Sequence, residues 1–295
     1  MLAVDITLAL GGGGAKGNAH IGVIRRLEKE GFRIKGIAGS SFGGLVAVYY
    51  ALGYSPDQIE EMFSLFDQAM LYGHAPGEAP SLLGLAGATN LLEGSLSDRT
   101  FDDLKIPCVL TAVDLKSGNE VLFSNGPLVD AILASIAMPG IFPARYVGDQ
   151  ELVDGGVLDP VPVAPARSLA PKLPVVAVVL TAPIGGPAQP WTIPIPSYLP
   201  RLVTMRLRRM RYALALDTFM RSLDIIGRAV TQYRLEVDRP DAIIRPRVTD
   251  IDTLDLVDVH SVVRKGEEAV EAALPKLKKL SGWRKRFNRM IGVRP

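Results

Sequence analysis

Two glycine-flanked turns close to the start of the chain restrict its fold more than any other feature: Gly11-Gly12-Gly13-Gly14-Ala15-Lys16-Gly17 and Gly39-Ser40-Ser41-Phe42-Gly43. Each follows an apolar run and precedes a helical pattern. Residues 6–10 lead into the first turn, and residues 18–30 then carry Ile21, Val23, Ile24 and Leu27 at helical spacing. Residues 34–38 lead into the second, followed by a small-residue helix over 43–52. The chain therefore opens as β-α-β-α. That order predicts an α/β fold, a three-layer α/β/α sandwich around a mainly parallel sheet.

The second turn reads as a nucleophile elbow. Gly39 and Gly43 leave room where a Cβ would clash, so a G-x-S-x-G sequence between strand and helix can turn sharply and present Ser41 Oγ at the top of the sheet. The first turn also joins a strand to a helix, so the amides of Gly12, Gly13 and Gly14 are free to point at an anion.

Other chemistries compete for the same residues. Gly12, Gly14 and Gly17 satisfy G-x-G-x-x-G, but a dinucleotide site needs an acid at the end of the second strand, and that strand ends in Ile37-Ala38-Gly39-Ser40. A phosphate-binding loop of the Walker kind fails because Lys16 precedes Gly17. Of the three histidines, His260 completes a chain order Ser41, Asp154, His260 that an α/β-hydrolase would use. In that fold several strands precede the elbow, whereas here only one β-α-β unit does. His20 falls in the first turn of the first helix and His74 in a connector, and neither reads as a general base. Asp154 is the stronger candidate: an apolar run delivers it to a glycine turn, Leu152-Val153-Asp154-Gly155-Gly156.

Along the rest of the chain, Ser55-Pro56-Asp57-Gln58 predicts a capped helix to about residue 66. Residues 70–95 lack periodicity and read as an apolar connector, either plain loop or a cover for an acyl pocket. Strands are expected over 107–113, 120–123, 175–180 and 242–244, and helices over 128–137 and 261–274. Leu216, Phe219, Met220, Leu223, Ile226, Val230 and Tyr233 form an amphipathic stripe of the kind that normally packs into a core. The divisions are a catalytic core over 1–182, a proline-rich excursion and basic amphipathic helix over 183–240, a last strand and helix over 241–280, and a basic tail over 281–295.

Composition removes several function classes. A formal net charge of +2 in 295 residues excludes bulk electrostatic binding of nucleic acid. The single Cys108, inside an apolar run, excludes a disulfide framework. No basic leader and no apolar run of membrane-spanning length is evident, so a cytoplasmic protein is expected, peripheral to a membrane at most. Arg206, Arg208, Arg209 and Arg211, and the basic residues after Lys276, alternate with apolar ones. That pattern suits an anionic membrane surface, and it suits two solvated helix faces equally.

Taken together, the glycine loop, the Ser41 elbow and the Asp154-Gly155-Gly156 turn resemble the patatin-like phospholipases. Further segments fit along nearly the whole chain: Thr111-Ala112-Val113-Asp114 with Gly118, Ala134-Ser135-Ile136-Ala137-Met138-Pro139 with Phe142-Pro143, and Asp159-Pro160-Val161-Pro162. The resemblance implies a serine lipid acyl hydrolase working through a Ser41–Asp154 dyad and an acyl-enzyme. The alternatives are an esterase or thioesterase on soluble substrates, or a binding module that makes no use of Ser41. Gly12, Gly13 and Gly14 would form the oxyanion hole, supported by Lys16, Gly17, Gly39, Phe42, Gly43, Gly155 and Gly156. Lipid esters would be the substrate, with no metal or organic cofactor. Lys16 stands where many members carry arginine, which keeps the charge but not bidentate contacts.

Overall fold

The structure, a computed structural model, describes residues 3–186 and 211–281. Its centre is an eight-stranded sheet: β1 (Val4–Leu10), β2 (Phe32–Ser40), β3 (Cys108–Asp114), β4 (Glu120–Phe123), β5 (Arg145–Val147), β6 (Gln150–Asp154), β7 (Val175–Val178) and β8 (Ala242–Ile244). The spatial order is β5-β6-β3-β2-β1-β7-β8, with β4 also on β3. Strands β3, β2, β1, β7 and β8 run parallel, and β4, β5 and β6 form an antiparallel end. The mainly parallel sheet expected from the alternating pattern is therefore present, with an antiparallel edge added.

Alternation along β1 shows how the layers form. Leu8 and Leu10 face one core, with α1 (Ala19–Lys29), α2 (Phe42–Ala51), α3 (Pro56–Leu65), α4 (Ala86–Leu96) and α5 (Leu128–Ser135). Ala9 faces a second core with Ala38 and Val109, closed by α6 (Val163–Leu169) and by Leu235 of α7 (Arg211–Asp238). Small residues on that face let α6 approach closely. The final helix α8 (Val259–Leu277) lies against α1. Backbones nearly touch there, since a Cβ on Gly22 would sit 1.8 Å from the Val263 carbonyl oxygen and one on Gly266 2.0 Å from that of Ala19.

Ser55 closes a full capping box with Gln58 ahead of Pro56, as its sequence predicts. Two expectations are corrected, and one helix appears that the pattern did not call for. The connector over 70–95 holds a 3-10 turn, Gln68–Leu71, and the helix α4, because tertiary contact with Met70 and Gly73 supplies what weak periodicity does not. Helix α6 forms although Pro165 lies in it, since proline is tolerated in the first turn. The stripe on α7 packs only in part: Met220 and Leu223 join the core, but Phe219, Ile226 and Tyr233 are more than half exposed, and Arg228, Thr231 and Leu235 are buried in their place. On the buried side Arg228 donates to the Gly186 carbonyl at 3.1 Å, tying the helix to the segment after β7, and pairs within the helix with Asp224 at 2.5 Å. Arg206, Arg208, Arg209 and residues 282–295 lie outside the described residues, as does the side chain of Arg211. No described helix is long and apolar enough to cross a membrane.

Candidate active site

Sheet register brings the two principal candidates together. Leu110 pairs with Gly39 of β2 on one edge and Phe123 of β4 on the other, while Ala112 pairs with Val121 of β4 and Asp154 of β6. A strand has only two edges, so β6 continues along the edge that β2 vacates. Ser40 lies opposite Thr111, and Asp154 lies opposite the next residue of β3, Ala112. The end of β2 and the end of β6 thus meet, with Ser41 leaving one and Asp154 closing the other.

Ser41 holds φ 54° and ψ −131°, a conformation that costs a non-glycine residue on the order of 1–3 kcal/mol. Close packing makes that turn possible: a Cβ on Gly39 would lie 2.5 Å from the Gly43 carbonyl oxygen, and one on Gly43 2.4 Å from that of Leu10. Phe42 opens α2 directly after Ser41, and its ring fills the space beside Gly17. The Ser41 amide donates to Ser135 Oγ at 3.0 Å, a contact between a fully buried hydroxyl at the end of α5 and the strained residue itself.

Asp154 is buried, its amide donating to the Ala137 carbonyl at 2.9 Å and its Oδ1 accepting from Gly156 N–H at 2.7 Å. Burial pushes its pKa up to about 6, against the pull of the Ser41 hydroxyl and the Gly156 amide, both of which favour the carboxylate. Gly155 lets this turn press against β3, where a Cβ would meet Thr111 Oγ1 at 2.1 Å.

In the glycine loop, the Gly12 amide donates to the Pro160 carbonyl at 3.0 Å and Ala15 donates to Thr253 at 2.9 Å. Gly13 and Gly14 lie between them, and their amides meet no acceptor among the described residues. Gly12 has a different place, its Cα side facing Ser41, where an added Cβ would come 3.1 Å from the serine Cβ. Lys16 is half-buried on the following 3-10 turn; desolvation lowers its pKa, opposed chiefly by Asp224 and Asp252.

None of the histidines joins this group. His20 is fully buried, its Nε2 2.7 Å from the Gly11 carbonyl oxygen, and burial lowers its pKa to about 4, so it braces the glycine loop as a neutral ring. His260 is exposed and bonds Glu60, and His74 bonds Ser81 within the connector. Sequence reasoning passed over Ser135, whose only signal is a hydroxyl at the end of an otherwise apolar helix.

Two chambers meet at Ser41. One, with about 160 Å³ of water-accessible space, is walled by apolar side chains that include Phe42, Leu45, Phe63, Leu71, Leu92 and Phe142. The other, about 310 Å³, contains Gly13, Lys16, Asp154, Asp224, Arg228 and Asp252. An ester carbonyl at Ser41 would have an apolar volume on one side and, on the other, one with charged side chains in its wall.

Comparison with known proteins places the chain in a family. The family model for patatin-like phospholipases matches residues 8–167, a span that holds both turns, Ser41 and Asp154. An uncharacterized NTE family protein of Mycobacterium tuberculosis is 39% identical over 187 residues, covering 62% of this chain and 51% of that protein. Lysophospholipase NTE1 of Mycosarcoma maydis is 29% identical over 177 residues, 55% of this chain and 9% of that one. The chain spans about half the length of the mycobacterial relatives it matches. Among solved structures, VipD from Legionella pneumophila shares the fold, with a TM-score of 0.56 at 12% identity over 93% of this chain and 67% of that one.

Proposed function

Because the chain belongs to the patatin-like phospholipase family, we propose that it is a lipid acyl hydrolase of phospholipase A or lysophospholipase type, acting through Ser41 and Asp154 and an acyl-enzyme. The observation that carries this reading is the placement of Ser41 on a strained elbow where an apolar chamber meets one with charged side chains in its wall, beside a buried carboxylate.

The steps follow from those groups. With a pKa of about 6, Asp154 is ionised at neutral pH and is a better base than an ordinary aspartate. It takes the Ser41 proton as Oγ attacks the ester carbonyl carbon. The carbonyl electron pair moves onto oxygen, where the open amides of Gly13 and Gly14 and the positive end of α2 stabilise the charge. Each well-placed donor contributes about 3 kcal/mol to such a transition state. Collapse expels the alcohol, which takes the proton from Asp154 and leaves Ser41 acylated. Asp154 then removes a proton from water as it attacks the acyl-enzyme; collapse breaks the bond to Ser41 Oγ, which takes that proton back from Asp154, and the released fatty acid ionises in solvent.

The apolar chamber favours a lipid acyl chain over a short soluble acyl group. Fluorophosphonate labelling tests the reading: an adduct on Ser41 is expected, together with hydrolysis of a lysophospholipid that Ser41→Ala abolishes. A folded protein that takes no adduct would sink it.

A further inference from the structure

We infer that the rim of the apolar chamber is a docking surface for a zwitterionic lipid aggregate, one whose headgroups carry a choline or ethanolamine cation. The inference rests on the acyl hydrolase reading and adds the surface from which that site is supplied.

Three large apolar side chains stand in solvent at this rim: Leu65 is 78% exposed, Met70 73% and Leu256 63%. Their chain neighbours Phe66, Leu71 and Asp255 line the chamber. The chain therefore alternates at its entrance, one residue turned to the cavity and the next to water. The two segments involved are far apart in sequence and are clasped together by Gln68, whose Nε2 donates to the Val257 carbonyl at 2.8 Å and whose Oε1 accepts from the Val257 amide at 3.0 Å. Leu65, Met70 and Leu256 thus flank one fixed clasp. Burying such side chains in a lipid surface is favourable in proportion to their apolar area, which leaving them in water forgoes.

Charge selects the lipid. From Gly36 to Asp98 the chain contains neither lysine nor arginine, and residues 251–258 contain none either. Exposed acids stand beside the clasp in the chain: Glu61, Asp67 and Asp258, the last two at helix starts, held by Ala69 and Ser261 amides. An anionic phospholipid surface would be repelled by this rim. A phosphocholine or phosphoethanolamine layer offers the opposite charge at its outermost atoms, within a Debye length of those carboxylates.

Flotation with vesicles of dioleoylphosphatidylcholine, using the full chain carrying Ser41→Ala so that docking is read without turnover, tests the proposal. Binding is expected, and vesicles that also contain dioleoylphosphatidylglycerol should bind less. Leu65→Ser/Met70→Ser should lower partition about tenfold or more, as should Leu256→Ser from the other side of the clasp. In the Ser41 background these changes should leave hydrolysis of a soluble p-nitrophenyl butyrate within about twofold, since the replaced side chains face water and not the chamber. Undiminished flotation of both variants, or stronger binding to the phosphatidylglycerol vesicles, would overturn the proposal. Absence of soluble ester hydrolysis in the parent would instead count against the acyl hydrolase reading.

Discussion

Replacing Asp154 by asparagine should abolish turnover and, at alkaline pH, make the protein more stable. The carboxylate is buried at the end of β6, and its pKa rises from 3.8 to about 6 on folding. Below pH 3.8 the group is neutral in both states and costs nothing; above pH 6 it is charged in both, and the folded state bears the burial. That difference of about two pKa units corresponds to about 3 kcal/mol at pH 8, at 1.36 kcal/mol per unit. Stability carried by neutral Asp154 is therefore lost as pH rises through 6. Asparagine has the same shape, keeps an oxygen to accept from Gly156 N–H and carries no charge. Urea unfolding of parent and variant at pH 8 should show a gain approaching that magnitude, and at pH 5 a gain of about half as much. Loss of activity alone would fit many causes. A variant that is inactive and no more stable at pH 8 than at pH 5, relative to the parent, would refute the claim that burial tunes this aspartate.

The same shift predicts a pH–rate profile: kcat/KM for a soluble ester should rise with pH and reach half its plateau near pH 6, because protonated Asp154 cannot accept the Ser41 proton. Ser135→Ala would leave the buried Ser41 amide without an acceptor at a strained residue, so kcat should fall about ten- to hundredfold with KM little changed, as steady-state kinetics would show. A merely structural contact would move thermal stability without that split. Gly22→Ala would drive a methyl into the Val263 carbonyl where α1 crosses α8, and urea unfolding should register a loss of about 1–3 kcal/mol or more.

Much of the fold was legible because the opening β-α-β-α unit is written in short-range chemistry. Apolar runs ending in glycine specify β1 and β2, and Ser55-Pro56 with Gln58 specifies the start of α3. Where tertiary contact overrides local pattern, the sequence was silent or misleading. Helix α4 has little periodicity and is held from outside, and Phe219, Ile226 and Tyr233 face water while Met220, Arg228, Thr231 and Leu235 of α7 are buried.

Within the candidate site, the sequence by itself determined the residue types: a serine on a glycine-flanked elbow, a glycine loop at a helix start, and an aspartate before two glycines. These are local requirements of backbone geometry, so they survive in the order of residues. Which of the glycine amides remain open is not local. Gly12 is engaged by Pro160 from far along the chain, while the amides of Gly13 and Gly14, the proposed oxyanion donors, meet no acceptor among the described residues. The meeting of Ser41 with Asp154 is likewise a matter of register, since β3 carries β2 and β6 end to end along one edge. Hydrogen-bonded strands align residues that are remote in sequence, and burial at that junction then raises the aspartate pKa toward the range that the proposed base role needs.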